Sequence, residues 1–380
     1  MQTSKARIEA KHEPTIRPER SSADAVCRMC RRPLYDPWGM GDSLCCECGL
    51  NDELFHPEAR WTDAENSPRA PPRAAKEARK KSFERTRSSQ LAIVRLGLKA
   101  LAAIAPSVAE ERGAQMFFTP RRAPRWRPPA IPELPATAFR FSIADDEIAC
   151  WSWGRGPTVM LVHGWEGYAA QLTEFIRPLV SAGFRVVTFD MPAHGSSTGR
   201  QVSAFDMARV IRAVAQVFSP TRAVIGHSLG GTATIVALRE GLQAERAVLL
   251  APGAEPKHFA RVLAALLGFS DARAEGMLKR IERRLGMSFD EASMLRFAPM
   301  MSVPVLVMHD PQDPEVPFKH GKRIAEAWPG ARFEPLKEMG HRRMLRDVST
   351  IKAVIAFIAK ADGNQLRGEG KTGRPSSPSQ

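Results

Sequence analysis

Short runs of hydrophobic residues alternate with longer segments of helical periodicity over the C-terminal two-thirds of the chain. Two of the runs, 137–143 and 147–153, flank the turn Ala144-Asp145-Asp146 and predict a β-hairpin. Five later runs are short and rich in Val, Leu and Ile, and a weaker run follows them: 158–163, 184–190, 222–227, 245–251, 303–309 and 331–336. Such runs are typical of parallel strands that are covered on both faces.

Helical periodicity fills the gaps between these predicted strands, near residues 169–182, 203–218, 229–240, 319–328 and 347–360. The alternation predicts an α/β fold, with a mostly parallel eight-stranded sheet and helices on both of its faces. A helical segment at 254–299 separates the strand ending at 251 from the strand starting at 303. Its length of about 45 residues is too great for an ordinary loop.

A further helical pattern runs from residue 90 to residue 118, ahead of the first predicted strand. Arg95 and Lys99 interrupt its apolar positions, and Pro106 is expected to end or kink the helix because proline has no backbone N–H. Two placements fit such a pattern, on a membrane surface or against the folded domain. We favour packing against the domain.

The composition is that of an ordinary globular protein, but the positive charge is concentrated in one segment. Of the 380 residues, 43% are hydrophobic and 25% are charged. No apolar run reaches the roughly 18 residues that span a bilayer. The N-terminal residues contain no apolar core of a secretory signal, so we expect a cytoplasmic protein with reduced thiols. The net charge is +14, and residues 66–130 hold fifteen Lys or Arg against four Asp or Glu.

Composition divides the chain into five zones. They are a disordered arm at 1–24, a cysteine-rich module at 25–60, a basic linker rich in Pro and Arg at 61–89, a folded domain at 90–361 and a disordered tail at 362–380. The basic linker could attract nucleic acid, acidic lipid or an acidic partner, but a solvated linker is the favoured interpretation.

Residues that support nucleophilic catalysis follow three of the predicted strands. Ser228 lies in the sequence Gly-His-Ser-Leu-Gly after 222–227, where a tight strand-to-helix turn would expose its hydroxyl. Asp313 follows the strand at 303–309, and His341 follows the strand at 331–336. In this order the histidine would accept the serine proton and the carboxylate would orient the histidine. The backbone N–H groups of Trp165 and Leu229 are the candidate donors to an oxyanion.

The motifs around these residues resemble the α/β-hydrolase superfamily over residues 137–361. They are HGW (163–165), DMPAHGSS (190–197), GHSLGG (226–231), DPQDPEVP (310–317) and GH (340–341). The resemblance implies an eight-stranded sheet, with Ser228 as nucleophile, Asp313 as acid and His341 as base. It also implies that the Trp165 and Leu229 amides form the oxyanion hole and that 254–299 is a helical cap over the pocket.

The chain departs from the family pattern at two positions. Ala193 stands where the family usually has glycine, a mild change in a structural loop that also carries Asp190 and His194. Asp310 adds a second carboxylate near the site, so that either Asp310 or Asp313 could orient the histidine. We favour Asp313, because it keeps the family's spacing to the Val-Pro pair at 316–317.

A serine nucleophile predicts acyl transfer through an ester intermediate, without a catalytic cofactor. A small-molecule carboxylic ester is the expected substrate, ahead of thioesters, amides and lipids. Two other functions stay open: an inactive binding protein on a hydrolase scaffold, and a nucleic-acid- or protein-associated regulator that uses residues 25–88. Apolar residues of the predicted cap would either line an acyl pocket or pack the cap on the core: Phe259, Leu263, Leu266, Leu267, Phe269, Met277, Leu278 and Leu285.

Four cysteines near the N-terminus have the spacing of a structural zinc site. Cys27 and Cys30 form one C-x-x-C pair, and after fourteen intervening residues Cys45 and Cys48 form a second pair. Cys46 could replace Cys45 as a ligand or be a spare thiol. Four thiolates complete a tetrahedron around zinc and leave no open position for catalysis. The segment resembles zinc ribbons in general, and a metal would stabilise a module too short to bury much core. Cys150, in a predicted strand, is expected to be an ordinary buried residue.

We predict that the full-length chain contains about one zinc per molecule. Elemental analysis of the purified protein tests this stoichiometry. Replacing Cys30 and Cys48 by Ser should remove the metal, whereas replacing Cys150 by Ser should leave it bound. A metal-free wild-type protein would contradict the prediction.

Overall fold

A computed structural model describes residues 92–121 and 134–360 of the chain. The arm at 1–24, the cysteine-rich module at 25–60, the linker at 61–89 and the tail at 362–380 lie outside these residues. The candidate zinc ligands Cys27, Cys30, Cys45 and Cys48 therefore also lie outside them.

Eight strands form one mixed sheet in the order β1-β2-β4-β3-β5-β6-β7-β8. The strands are β1 (Thr137–Ile143), β2 (Asp146–Trp153), β3 (Thr158–Val162), β4 (Arg185–Phe189), β5 (Thr221–His227), β6 (Arg246–Leu250), β7 (Val305–His309) and β8 (Arg332–Pro335). Strand β2 pairs antiparallel with β1 and with β4, and the pairs from β4 to β8 are parallel. The predicted eight-stranded, mostly parallel α/β sheet is confirmed.

Of the helices that the structure describes, two precede the sheet, one follows it, and the others lie in the connections between strands. The helices are α1 (92–104), α2 (Pro106–Phe118), α3 (Ile176–Ser181), α4 (Ala204–Val217), α5 (Leu229–Arg239), α6 (Pro256–Leu267), α7 (Asp271–Leu285), α8 (Met294–Phe297), α9 (Phe318–Ala327) and α10 (Val348–Ala359). A 3₁₀ turn at Ala169–Phe175 precedes α3, so the helix predicted near 169–182 is only partly α-helical. None of the described helices is both long and apolar enough to cross a bilayer.

The sheet separates two hydrophobic clusters. In β5, Val224 belongs to the cluster formed with α4, α5 and α9, whereas Ala223 and Ile225 belong to the cluster formed with α3 and α10. Side chains alternate between the two faces of a strand, so a strand covered on both sides must be apolar throughout. This burial on both faces explains why the central strands appear in the sequence as continuous apolar runs.

The insertion between β6 and β7 packs on the N-terminal helices in a third cluster. Met277, Leu278 and Ile281 of α7 are buried there with Leu98 of α1 and Phe118 of α2. Leu267 and the partly buried Leu263, Phe269 and Leu285 join the same cluster. Most apolar residues of the predicted cap therefore hold the insertion against α1 and α2.

Gly113 allows α2 to approach α7 closely. A Cβ at this position would lie 2.8 Å from the sulfur of Met277 and 2.8 Å from the ring of Phe269. Proline at position 106 occupies the first turn of α2, where its missing N–H needs no helical partner. The predicted break at Pro106 is thus present, and the chain resumes as a second helix after it.

Candidate active site

The predicted catalytic residues follow three parallel strands, β5, β7 and β8, at the carboxyl end of the sheet. Ser228 directly follows β5, Asp310 and Asp313 follow β7, and His341 lies on the loop after β8. Because these strands are parallel, their carboxyl ends meet at the same edge, where open α/β sheets bind their ligands.

Ser228 has a strained backbone at the turn between β5 and α5. Its φ of 55° and ψ of −122° lie in a region that non-glycine residues rarely adopt. The turn is held by the Ser228 N–H, which donates to the carbonyl of Leu250 on β6 at 2.8 Å. The side chain makes no capping hydrogen bond to α5 and is only half-buried, so its hydroxyl is available for chemistry.

Three glycines allow the backbone to crowd around this turn. A Cβ on Gly230 would lie 2.5 Å from the carbonyl oxygens of Val162 and His163, and one on Gly226 would lie 2.6 Å from the carbonyl of Gly230. On the facing loop, a Cβ on Gly164 would lie 2.8 Å from the Cβ of Ser228. A side chain on Gly164 or Gly230 would push the β3 loop away from the serine turn, and one on Gly226 would push the first turn of α5 away from β5.

Asp313 is hydrogen-bonded to His341 within a buried cluster. The Nδ1 of His341 donates to Oδ2 of Asp313 at 2.7 Å, and the exposed fraction of the Asp313 side chain is 0%. The other carboxylate oxygen accepts from the backbone N–H groups of Glu315 at 2.8 Å and Val316 at 2.9 Å. Nε2 of His309 also lies 3.3 Å from Oδ2.

These donors keep the Asp313 carboxylate ionised. Burial alone would raise the pKa of Asp313, but the hydrogen bonds from His309, His341 and Val316 favour the charged form and together lower the pKa below its ordinary value. A fixed negative charge therefore faces Nδ1 of His341, which leaves Nε2 as the free ring nitrogen.

The side chain of Asp310 contacts the backbone of the loop that carries His341. Its Oδ2 accepts from the N–H groups of Met339 and Gly340, at 2.6 Å for Gly340, and its Oδ1 accepts from the N–H of Gln312 at 2.7 Å. The loop needs this support because Glu338 and Gly340 both have positive φ. Of the two carboxylates that the sequence left open, Asp313 contacts the imidazole and Asp310 holds the loop that carries it.

His227 links this loop to the serine turn. Its buried ring donates from Nε2 to the backbone carbonyl of His341 at 2.8 Å, and the two rings lie 4.6 Å apart between centroids. Burial, reinforced by the neighbouring His341, lowers the pKa of His227 to about 3, so this ring is neutral at physiological pH. The residue next to Ser228 thus anchors the backbone of His341.

Among the hydrogen bonds of the described residues, none joins the hydroxyl of Ser228 to His341. The structure therefore joins His341 to Asp313 directly and to the serine turn through His227. In enzymes without bound substrate, such a serine–histidine contact is often long and tightens only when substrate is present.

Two further buried histidines shape the loops after β3 and β4. His163 donates from Nδ1 to the carbonyl of Gly164 and accepts at Nε2 from the N–H of Met191 at 3.0 Å. His194 accepts at Nε2 from the N–H of Glu166 at 3.0 Å. Burial lowers the pKa of His163 to about 4 and, with His163 beside it, that of His194 to about 3. Both rings are therefore neutral and connect the two loops.

Asp190 also holds these loops, because its carboxylate accepts from the N–H groups of Ala169 at 2.8 Å and Ser196 at 2.7 Å. The carbonyl of Asp190 also accepts from Oγ of Ser197 at 2.6 Å, and Nδ1 of His194 donates to the carbonyl of Pro192 at 2.9 Å, so both residues tie the loop to its surroundings. Cys150 is buried in β2 with a free thiol, as expected.

The two residues whose backbone N–H groups are predicted to receive an oxyanion lie next to the serine turn. Leu229 is the first residue of α5, where N–H groups have no partner within the helix. Trp165 follows Gly164, whose backbone lies against Ser228. Neither N–H donates to another residue within the described part of the chain, so both are available to a ligand.

Two ion pairs clamp the loops from outside. Arg342 donates from Nε and Nη2 to the carboxylate of Glu315 at 2.9 and 3.0 Å, and so bridges the loops that carry His341 and Asp313. Arg121, beyond α2, pairs with Glu166 on the β3 loop, with its Nε 2.7 Å from Oε1. Both pairs are partly exposed, so their contribution is to loop position more than to stability.

Sequence reasoning located the loops but missed two of the groups that hold them. The role of His227 was missed because a histidine inside an apolar strand shows no periodicity or spacing of its own. His309 was predicted only as the last residue of a strand, although its position four residues before Asp313 at the end of β7 could have indicated a contact.

A family model described as the alpha/beta hydrolase family matches residues 159–353 of the chain. Among curated proteins, the mouse (Mus musculus) protein ABHD8 is 23% identical over 292 residues, which cover 67% of this chain and 66% of that protein. A pimeloyl-[acyl-carrier protein] methyl ester esterase of Methylococcus capsulatus is 33% identical over 86 residues, covering 23% of this chain and 33% of the esterase. Among solved structures, an esterase from Exiguobacterium antarcticum has a TM-score of 0.45 at 18% identity, covering 57% of this chain and 96% of that one.

The chain thus covers just under two thirds of the length of the mouse protein, and about a third of the length of the Methylococcus esterase.

The crowding around the serine turn predicts that Gly230→Ala destabilises the protein. The new Cβ would lie against the β3 backbone, which cannot move as a flexible side chain would, and we expect a loss of about 1–3 kcal/mol in the free energy of unfolding. Gly97→Ala is the matched control, because a Cβ there meets no atom within 4 Å and the position lies in exposed helix. Urea unfolding of both variants compares them, and equal stabilities would contradict the steric argument.

Proposed function

The chain belongs to the α/β-hydrolase family, and from that premise we propose that it is a serine hydrolase that acts by acyl transfer on carboxylic esters. The observation that carries the proposal is the buried Asp313–His341 pair beside the strained turn of Ser228. A hydroxyl, an imidazole and a carboxylate in this arrangement are the groups that acyl transfer requires.

In the first half of the proposed reaction, the Oγ of Ser228 attacks the carbonyl carbon of the ester. Nε2 of His341 accepts the hydroxyl proton as the new C–O bond forms, and the carboxylate of Asp313 stabilises the imidazolium. The tetrahedral intermediate then collapses with cleavage of the bond to the leaving alcohol. The imidazolium returns its proton to that alcohol, and the acyl group stays on Ser228.

The negative charge on the carbonyl oxygen would be stabilised by the N–H groups of Trp165 and Leu229. Leu229 contributes the first N–H of α5, so the partial positive charge of the helix N-terminus also favours an anion there. Neither residue needs a particular side chain for this role.

In the second half, water attacks the acyl-enzyme. His341 takes a proton from the water, the acid product leaves, and the proton returns to Ser228. The chain and one water molecule supply every group that this scheme uses.

Two observations support an ester as the substrate. A serine nucleophile with a histidine base suits carboxylic esters, and the curated relative from Methylococcus is itself named a methyl ester esterase.

The insertion that contains α6 and α7 is proposed as the cap of the pocket. Phe259 at the start of α6 reaches the loop after β6, where a Cβ on Gly253 would lie 2.9 Å from its ring.

The alternative functions have less support. A binding protein that has lost its chemistry would not need to keep the ionised Asp313 against His341. No comparison favours a regulator that works through residues 25–88, and those residues lie outside the described structure.

We predict that Ser228→Ala abolishes labelling by a fluorophosphonate probe and lowers kcat/KM for short p-nitrophenyl esters by about 10⁴-fold or more. His341→Ala should lose a similar factor, and the double variant should lose no more than either single variant, because the two residues act as a unit. Measuring kcat/KM for the three variants tests this.

Ser270→Ala provides the matched control for that series. Ser270 is exposed at the start of α7 and makes no capping hydrogen bond, so labelling and hydrolysis should be unchanged. Labelling of Ser228→Ala at the wild-type level would remove Ser228 from the proposed role. The same assay extended to thioesters and amides ranks the substrate classes.

His227 should act as a positioning residue through its hydrogen bond to the His341 carbonyl. His227→Leu removes the donor, and we expect kcat/KM to fall by about tenfold or more because the base is misplaced. His227→Gln keeps an amide donor at the same reach and should recover much of that loss. The pH dependence of kcat/KM should shift in the Leu variant only. Equal activity of the two variants, or a common loss in both, would contradict a role for the hydrogen bond.

A further inference from the structure

The turn that carries Trp165 contains a residue in an unfavourable conformation. It runs over residues 164–167 and is closed by the N–H of Gly167, which donates to the carbonyl of Gly164 at 3.1 Å. Glu166 occupies the third position of this turn with a φ of 53°, in the left-handed region that favours glycine. A non-glycine residue persists there only where its surroundings hold it, and such positions cluster at functional sites.

Contacts to both its backbone and its side chain hold Glu166 in this conformation. Its backbone N–H donates to Nε2 of His194 at 3.0 Å. Its carboxylate receives the guanidinium of Arg121, whose Nε donates to Oε1 at 2.7 Å and whose Nη2 donates to Oε2. The backbone N–H of Arg121 also donates to Oε1, at 3.3 Å. A guanidinium that donates to both carboxylate oxygens fixes the direction of the pair as well as its distance.

The segment that leads to Arg121 is fixed to the loop after β4. The N–H of Val202 donates to the carbonyl of Phe118, the last residue of α2, at 2.8 Å. The side-chain amide of Gln201 donates to Oγ1 of Thr119 at 3.0 Å. The arginine is therefore anchored independently of the turn at 164–167, so it can hold that turn rather than follow it.

Helix α2 is in turn held by the insertion between β6 and β7. Arg280 of α7 lies 3.4 Å from the carboxylates of both Glu110 and Glu111 on α2. The family model begins its match at residue 159, so α2 and Arg121 lie outside the matched part of the chain. An element outside the matched residues thus supports the turn beside Ser228.

The location of the ion pair matters more than its energy. The side chains of Arg121 and Glu166 are 60% and 25% exposed, and exposed pairs contribute little to the free energy of unfolding. Glu166 directly follows Trp165, whose N–H is a proposed oxyanion donor, and Gly164 on the other side packs against Ser228. A donor displaced by about 1 Å would no longer match the charge that develops in the transition state.

We propose that Arg121 is a positioning residue for the oxyanion hole, and that it acts through Glu166 on the Trp165 amide. This inference rests on the proposed function, because an oxyanion forms only if the chain catalyses acyl transfer. Helix α2 then contributes to catalysis as the support of Arg121.

Steady-state hydrolysis of a short p-nitrophenyl ester by the full-length chain tests the proposal. Arg121→Gln should lower kcat by about tenfold and leave KM within about twofold, because only the stabilisation of the transition state is weakened. Arg121→Lys keeps the charge but not the paired donors, and should recover part of the loss. Arg121→Gln combined with Glu166→Gln should lose no more than Glu166→Gln alone, because the two residues act as one unit.

Arg209→Gln is the matched control for this series. Arg209 forms an exposed ion pair with Asp206 on α4, and its side chain is 59% exposed, close to the value for Arg121. Its kcat and KM should equal those of the wild type. The midpoint of thermal unfolding should move by no more than about 3 °C in any of these variants, which verifies that each is folded.

Amide hydrogen exchange of residues 164–168 supplies a readout that needs no activity. Exchange in this segment should be at least about fivefold faster in Arg121→Gln than in the wild type, and unchanged in Arg209→Gln. Ser228→Ala is assayed in parallel. Hydrolysis that survives in Ser228→Ala would contradict the proposed function itself, and the inference with it.

Four results would overturn the inference alone, provided that Ser228→Ala is inactive. They are a wild-type kcat in Arg121→Gln, a loss confined to KM, a double variant in which the two single losses multiply, and unchanged exchange of residues 164–168.

Discussion

The hydrogen bond between Asp313 and His341 depends on two loops that leave neighbouring strands of the sheet. Asp310 fixes one loop to the other by accepting from successive backbone N–H groups, and the Arg342–Glu315 pair spans the same gap at the surface. Because the Asp313 carboxylate is buried and receives donors on both oxygens, water does not compete for it. The imidazole is therefore oriented before any ligand arrives.

Backbone contacts, more than side chains, hold the turn at Ser228. A backbone hydrogen bond to β6 secures the positive φ of Ser228, and the absence of side chains at Gly164 and Gly230 lets the β3 loop close against it. His227 then connects the turn to the backbone of His341. A strained backbone persists only where several surrounding contacts fix its conformation. At Ser228 these contacts are the hydrogen bond to β6, the close packing of the β3 loop and the hydrogen bond of the buried His227.

Much of this arrangement could be predicted from the chain alone. The strands were visible because burial on both faces makes each one an apolar run. Ser228, Asp313 and His341 each follow a different parallel strand, which placed them at the same end of the sheet. Spacing favoured Asp313 over Asp310 as the partner of the histidine, and Asp313 does contact the imidazole. The contacts of Asp310 with the histidine loop were not predictable, because spacing does not show which way a carboxylate on a loop points. The partner of the N-terminal helices was also hidden: an amphipathic pattern predicts an apolar face but not the element that covers it.

We propose that Ser228, His341 and the Trp165 and Leu229 amides converge on one ester group. A crystal structure of the protein after reaction with an organophosphate ester such as paraoxon tests it most directly. We predict a phosphorus bonded to the Oγ of Ser228, a phosphoryl oxygen in contact with both amides, and Nε2 of His341 within about 3.2 Å of Oγ. A phosphorus on another residue, or an adduct on Ser228 with His341 turned away from it, would contradict the account.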